Sequence, residues 1–300
     1  MTTHRTYRTP DARFAKLPDY PFRAHYCDVE RDLRMHYVDE GPRNALCTVV
    51  MLHGEPSWSF LYRKMISRVS ASGLRVVAPD LIGFGKSDKP GSARDYSVAN
   101  HQRWLEALLI DHLQLDAITL VGQDWGSTLG LRLAAAHGER VDRIIIGNGM
   151  LLTGDEPRRG LISAWRWFSK LSPWFPIGRI VDGATGRALS KQERAAYDAP
   201  FPDARFTAGA RVFPSLIPVT ENDPAGDAQR ATWRALEEWR KPFITCFSDA
   251  DPSTLCYKRA MLERGPGARG QTHHTLCGRH FLQEDSPEEF AAIIIDACFP

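Results

Sequence analysis

Leu120-Val-Gly122-Gln-Asp124-Trp-Gly126-Ser127 is the stretch whose reading decides the fold. It continues the apolar, β-branched run Ile118-Thr-Leu-Val121 and leads into a segment of helical period from Thr128 to His137, so a strand has to turn sharply into a helix here. Gly-x-Asp-x-Gly supplies what such a turn needs. Small residues on either side permit a strained backbone, and the central side chain is thrown clear of the sheet edge. A nucleophile elbow has this pattern, with Asp124 standing where Ser is usual. The plainer reading is a helix N-cap, a position Asp also favours.

Working outward, Cys47–Leu52, Leu74–Ala78 and Arg143–Ile146 are short apolar runs like Ile118–Val121, and Phe60–Ser72 and His101–Leu113 have helical period. Strands apolar on both faces that alternate with helices predict a parallel sheet covered on both sides. Asp32–Glu40 alternates less cleanly and predicts an antiparallel edge strand. From about Thr153 to Asn222 no strand-like run occurs, and Trp165, Trp167, Phe168, Trp174 and Phe175 lie among prolines and glycines. The α/β rhythm then resumes with a helix over Ala225–Trp239, a strand at Phe243–Phe247 and a helix over Pro287–Cys298. The expected organisation is a main α/β domain in two parts, 1–152 and 223–300, with a helical cap, 153–222, inserted between them.

Composition limits what this chain can do. Its 300 residues are 43% hydrophobic and 25% charged, enough to bury a core without staples. The net charge of +2 and the absence of like-charge runs argue against nucleic acid or an anionic membrane as partner. Six scattered cysteines without a Cys-x-x-Cys pair predict reduced, buried thiols in a cytoplasmic protein. No secretory leader and no run of 18 apolar residues is seen.

The chemistry follows from the carboxylate. A carboxylate attacks esters and amides poorly, but on saturated carbon it gives an alkyl ester that water can cleave. Asp124 therefore points toward haloalkanes, epoxides or haloacids. His280, in Gly278-Arg-His280-Phe-Leu-Gln, falls where a general base is expected, and the order nucleophile, acid, histidine fits. Either Asp249 or Asp251, after the strand Phe243–Phe247, could orient it; the end of the preceding strand offers only the uncharged Asn148. The loop His53-Gly-Glu-Pro56 follows a strand and would supply one oxyanion-hole amide, from Glu55, with the other from Trp125. Gly83-Phe-Gly-Lys-Ser87 imitates a phosphate loop, but Asp80 replaces its first glycine. His273-His274 with His280 lacks the partners of a metal site.

Taken together, these motifs resemble the haloalkane dehalogenases of the α/β-hydrolase superfamily across nearly the whole chain. They are His53-Gly-Glu-Pro56, Ala78-Pro-Asp-Leu-Ile-Gly-Phe-Gly-Lys-Ser-Asp-Lys-Pro90, Val121-Gly-Gln-Asp-Trp-Gly126, Ala199-Pro-Phe-Pro-Asp203 and Gly278-Arg-His-Phe-Leu-Gln283. The branch with two halide-binding tryptophans, and the acid after the later strand, fits best. The resemblance implies a mostly parallel central sheet flanked by helices with a helical cap. It also implies Asp251, ahead of Pro252, as the acid, and Trp125 and Trp165 as halide ligands, with Trp167 a rival to Trp165. The substrate would be a small halogenated hydrocarbon, with water as co-substrate and halide as product, and the enzyme a monomer needing no cofactor or metal. Two departures stand out: residues 153–195 follow the family loosely, and Arg279 separates Gly278 from His280. The rivals are an epoxide hydrolase, which needs acids for an alkoxide leaving group, and a hydrolase-fold binding protein. Tyr197 is the only tyrosine between residues 153 and 222, against three tryptophans, which favours halide.

Overall fold

The computed structural model describes residues 5–156 and 160–299. Its strands are β1 (Thr6–Tyr7), β2 (His25–Glu30), β3 (Leu33–Glu40), β4 (Thr48–Leu52), β5 (Arg75–Pro79), β6 (Lys89–Pro90), β7 (Ile118–Asp124), β8 (Val141–Gly149), β9 (Phe243–Ser248) and β10 (His274–Leu276). Eight form one sheet in the order β10-β9-β8-β7-β4-β5-β3-β2, while β1 and β6 pair separately. Along the large sheet, from β10 through β9, β8, β7 and β4 to β5, every pairing is parallel. Every residue of β4, β5, β7 and β9 is buried, as expected of a sheet covered on both faces.

The antiparallel strand expected at Asp32–Glu40 is β3, but it is not the edge. β3 lies between β5 and β2, antiparallel to both. β2 went unread because its alternating, half-exposed HYCDVE carries Asp28 and Glu30 outward and lacks an apolar run. The cysteines are all free, and Cys256 and Cys277 are exposed rather than buried as their scatter suggested.

The helices α1 (Arg63–Ala71), α2 (Val98–Glu106) and α3 (Trp125–Ala136) follow β4, β5 and β7. Between Gly149 and Pro224 the described residues contain no strand, only helices. The α-helices there are α4 (Gly160–Leu171), α5 (Ile177–Gly183), α6 (Lys191–Asp198) and α7 (Ala208–Val212), ahead of α8 (Pro224–Glu237). This helical segment is stitched to the sheet side by a buried ion-pair network. Arg63 on α1 donates to Glu284 at 2.5 Å and to Glu193 on α6 at 2.7 Å; Arg187 donates to the same two carboxylates. The Tyr197 hydroxyl donates to Glu284 Oε1 at 2.6 Å. α6 itself starts with a capping box, Ser190 and Glu193 satisfying each other's backbone amides. No helix among the described residues is long and apolar enough to cross a membrane.

Candidate active site

Asp124 is the last residue of β7 and α3 begins at the next, so its backbone takes the whole turn at φ 52° and ψ −123°. That left-handed conformation is strained for a residue with a Cβ, and the surroundings hold it in place. The flanking glycines are required by contact. A Cβ on Gly126 would lie 1.9 Å from the Leu52 carbonyl oxygen, and one on Gly122 2.7 Å from the Gly126 carbonyl oxygen. β4 and the elbow can approach this closely only without side chains. Gly54 makes room for the carboxylate itself, since a Cβ there would sit 2.3 Å from Asp124 Oδ1.

The two Asp124 oxygens have different surroundings. Oδ1 accepts the Glu55 amide N–H at 3.0 Å, and the Trp125 amide also donates to the carboxylate. Oδ2 stands 3.7 Å from His280 Nε2. Burial pushes the Asp124 carboxyl up from its ordinary value; the His280 charge and the two amides pull against that, and Asp251 adds to the rise. The His280 loop follows β10, and His280 Nδ1 lies 3.1 Å from Asp251 Oδ2. Asp251 is buried and collects further donors: the Ser253 amide at 2.9 Å and hydroxyl at 2.5 Å on Oδ1, and the Thr254 hydroxyl on Oδ2. Burial opposes its charge, but His280 and these hydroxyls hold its carboxyl far below the ordinary range. Burial likewise disfavours a charged His280, yet Asp251 and then Asp124 outweigh it and raise its pKa. Of the two candidate acids, Asp251 touches the imidazole; Asp249 instead accepts the Gly278 amide at 3.0 Å.

A cavity of about 410 Å³ opens over these groups, its wall formed by Asp124, Glu55, His280, Ile162, Trp165 and Ile180 among others. It lies between the strand ends and helices α4 and α5, with an apolar upper wall. Trp165 is half-buried on α4, braced by Phe168 (ring centroids 5.4 Å apart) and Phe175 (5.9 Å), and its indole N–H donates to Glu55 Oε2 at 3.0 Å. Trp167, two residues on, faces outward at 65% exposure. Trp125 is buried edge-on against Phe213 at 5.0 Å, lining a small gap that shares Met150 and Ile217 with the main cavity.

Several working residues escaped the sequence reading. Gln123 Nε2 lies 3.0 Å from His280 Nε2 and 3.2 Å from the His280 carbonyl oxygen. With Gln123 donating, Nε2 is the acceptor and Nδ1 carries the proton toward Asp251. Its place beside the nucleophile was the available signal. Asn148, passed over for lack of charge, is a clamp: its amide donates to Ser248 Oγ and to the Arg279 and His280 carbonyls at 3.0, 2.7 and 3.0 Å. Arg279 reaches out to the Gly183 carbonyl at 2.8 Å, and the His280 amide donates to Ala184 O at 3.0 Å, tying this loop to the end of α5.

The rejected motifs have structural explanations. Asp80 fills its own glycine loop, accepting the Lys86 amide (2.7 Å), the Ser59 amide (2.8 Å) and His36 Nδ1 (2.7 Å), so a phosphate's place is taken by the chain's own carboxylate. Burial opposes the charge on Asp80, but His36 and these donors hold the carboxyl far below the ordinary range. His53 braces the loop before Glu55, its Nε2 accepting the Leu81 amide at 2.9 Å while Nδ1 lies 2.9 Å from Gly54 O. His273 is engaged by Thr245 and by the Ala268 carbonyl.

Comparison with known proteins gives the fold and the relatives of the chain. A family model for the alpha/beta hydrolase fold matches residues 48–181. The chain is 48% identical over 292 residues to a haloalkane dehalogenase of Mycobacterium marinum, covering 96% of this chain and 98% of that one. It is 49% identical over 293 residues to a haloalkane dehalogenase of Psychrobacter cryohalolentis, covering 96% of each. Among solved structures it is similar to the tetrameric haloalkane dehalogenase of Paraglaciecola agarilytica. That TM-score is 0.87 at 32% identity, over 98% of this chain and 97% of that one.

Proposed function

The chain belongs to the haloalkane dehalogenases, and from that premise we propose that Asp124, His280 and Asp251 cleave carbon–halogen bonds through an alkyl ester of Asp124. Asp124 Oδ2 attacks the halogen-bearing carbon in line. The carbon–halogen bond breaks with its electron pair on the halide, which the indole N–H groups of Trp125 and Trp165 receive. Indole donates without accepting, which suits an anion in a dry apolar site. His280 Nε2 then takes a proton from water as its oxygen adds to the ester carbonyl, and Asp251 steadies the imidazolium. The Glu55 and Trp125 amides stabilise the oxyanion; losing one such donor costs roughly 10²–10³ in rate elsewhere. Collapse regenerates the carboxylate and releases the alcohol. The balance is haloalkane plus water to alcohol, halide and a proton, with no cofactor required.

The observation that carries this reading is the asymmetry of the Asp124 carboxylate. Oδ1 accepts the Glu55 amide, the Trp125 amide also donates to the carboxylate, and Oδ2 stands 3.7 Å from His280 Nε2, at a cavity whose wall includes Trp165. The helical segment over residues 153–222 would serve as the lid and set the substrate range. The lid's single tyrosine, Tyr197, is engaged by Glu284, which leaves an epoxide oxygen without a lid phenol.

The test is halide and proton release from purified protein given short chloro-, bromo- and iodoalkanes, with styrene oxide in parallel. Halide release that is faster for bromide and iodide than for chloride is expected. A diol from the epoxide without any halide would overturn the reading, and binding without release would favour a receptor.

A further inference from the structure

Of the three acids that line the cavity, Glu55 is the one whose side chain has no task in the proposed mechanism. Its Oε2 accepts the Trp165 N–H at 3.0 Å, its Oε1 is buried with no hydrogen-bond partner, and its side chain lines the cavity beside Asp124. An indole has one N–H, so Trp165 cannot give full hydrogen bonds to Glu55 and to a halide at once. We propose that Glu55 is a positioning residue for halide capture and release. It holds the Trp165 N–H while the site is empty, yields it to the departing halide, and takes it back as the halide leaves. The inference rests on the assignment of Trp165 as a halide ligand.

The exchange works only if Glu55 holds the N–H weakly. Burial, and then the neighbouring Asp124 charge, push its carboxyl well above the ordinary range, against the Trp165 hydrogen bond, which lowers it. A neutral carbonyl oxygen is a modest acceptor. A carboxylate would grip the N–H about twice as strongly and would repel the halide. The ionisable and charged groups around the same cavity are Asp124 at the elbow, Asp251, Cys256 and Tyr257 after β9, and Arg279 and His280 on the last loop. His280 losing its proton also weakens halide binding as pH rises, so the Glu55 contribution is read by difference.

The test titrates the full-length protein with sodium bromide and follows quenching of tryptophan fluorescence, alongside stopped-flow release. Glu55→Leu leaves the Trp165 N–H without a competitor. Bromide should bind about five- to tenfold tighter, the size of one net hydrogen bond, and leave correspondingly more slowly. Glu55→Gln restores a neutral acceptor and should bind bromide at neutral pH as the parent does. Above the Glu55 pKa the parent should lose affinity relative to Glu55→Gln by about tenfold per pH unit. Coincident profiles for the parent and Glu55→Gln overturn the proposal, as does Glu55→Leu binding no tighter than Glu55→Gln. Should Glu55→Leu not fold, the Gln comparison decides alone. If Trp165→Phe leaves bromide affinity unchanged, the halide-ligand assignment has failed and takes the proposal with it. Weakened binding in Trp165→Phe beside indifference to Glu55 refutes only the role of Glu55.

Discussion

Asp251→Asn should arrest the enzyme halfway, and the hydrogen bonds around Asp251 indicate by how much. Four donors meet the carboxylate: the Ser253 amide and hydroxyl on Oδ1, and the Thr254 hydroxyl and His280 Nδ1 on Oδ2. An asparagine accepts on one oxygen only. With its oxygen at the Oδ1 position it satisfies the fixed Ser253 N–H, but its NH₂ then faces His280 Nδ1. The imidazole must move its proton to Nε2, where it cannot act as a base and where the Gln123 amide now opposes it at 3.0 Å. The reverse amide orientation keeps the working tautomer but sets NH₂ against the Ser253 N–H. A buried unsatisfied donor costs about 1–3 kcal/mol, and the lost Gln123 bond about 0.5–1.5. The inactive tautomer therefore wins by roughly 1 kcal/mol, a factor of about five.

The larger loss is charge. A carboxylate about 4 Å from the imidazolium at an effective dielectric of about 20 is worth roughly 4 kcal/mol, or about 10³ in rate. Both penalties fall on ester hydrolysis, because His280 takes no proton during alkylation. Rapid-quench measurement should show a burst of about one halide per site, then turnover slowed by about 10⁴, with the alkyl mass on the Asp124 peptide. Steady turnover within tenfold of the parent, without a burst, would refute both the role of Asp251 and the tautomer argument.

Asp124→Asn should abolish halide release with an unchanged melting curve, provided mass spectrometry excludes reversion to Asp. His280→Phe should accumulate the alkyl-enzyme as a stable mass increment; free enzyme alone after incubation with a bromoalkane would contradict the two-step scheme. Because Asp251 and Asp124 outweigh burial and raise the His280 pKa, the base form is lost as pH falls through a value above the ordinary histidine range. In the alkyl-enzyme Asp124 is a neutral ester and no longer adds to the rise, so the acid limb of the hydrolysis step should lie below that value, and should move lower still in Asp251→Asn. Glu284→Gln leaves Arg63 and Arg187 short of a buried carboxylate and should cost about 3 kcal/mol. A denaturant midpoint shifted at constant slope would show it.

The sheet was legible because parallel strands buried on both faces read as apolar runs, and the elbow because its glycines are forced by contacts under 3 Å. Asp124 and His280 were readable from residue type and chain order. Glu55 was assigned only through its backbone; its side-chain bond to Trp165 spans 110 residues and has no local signature. Asn148 and Gln123 are uncharged, so a search for ionisable groups passes over them, although they hold the histidine loop across 132 and 157 residues. The choice between Trp165 and Trp167 could not be made from spacing, because which face of α4 meets the cavity depends on Phe168 and Phe175 bracing Trp165.

The proposed roles match a carboxylate nucleophile with indoles and not with a cation, and charge gives the reason. Alkylation conserves charge in the pocket: the Asp124 carboxylate becomes a neutral ester as a halide anion appears beside it. A lysine or arginine placed to receive that halide would pair with Asp124 before any substrate arrived. In a buried site such a pair would lower the nucleophile's reactivity and have to be broken in the transition state. Arg279, the one lysine or arginine among the described lining residues, is exposed and donates to the Gly183 carbonyl. On the proposed assignment the halide is left to neutral indole donors, which would attract it as it forms and leave the resting carboxylate free to attack. The upward push that burial and Asp124 give the Glu55 carboxyl fits the same requirement, since a third carboxylate beside Asp124 and Asp251 would repel the anion the reaction has to release.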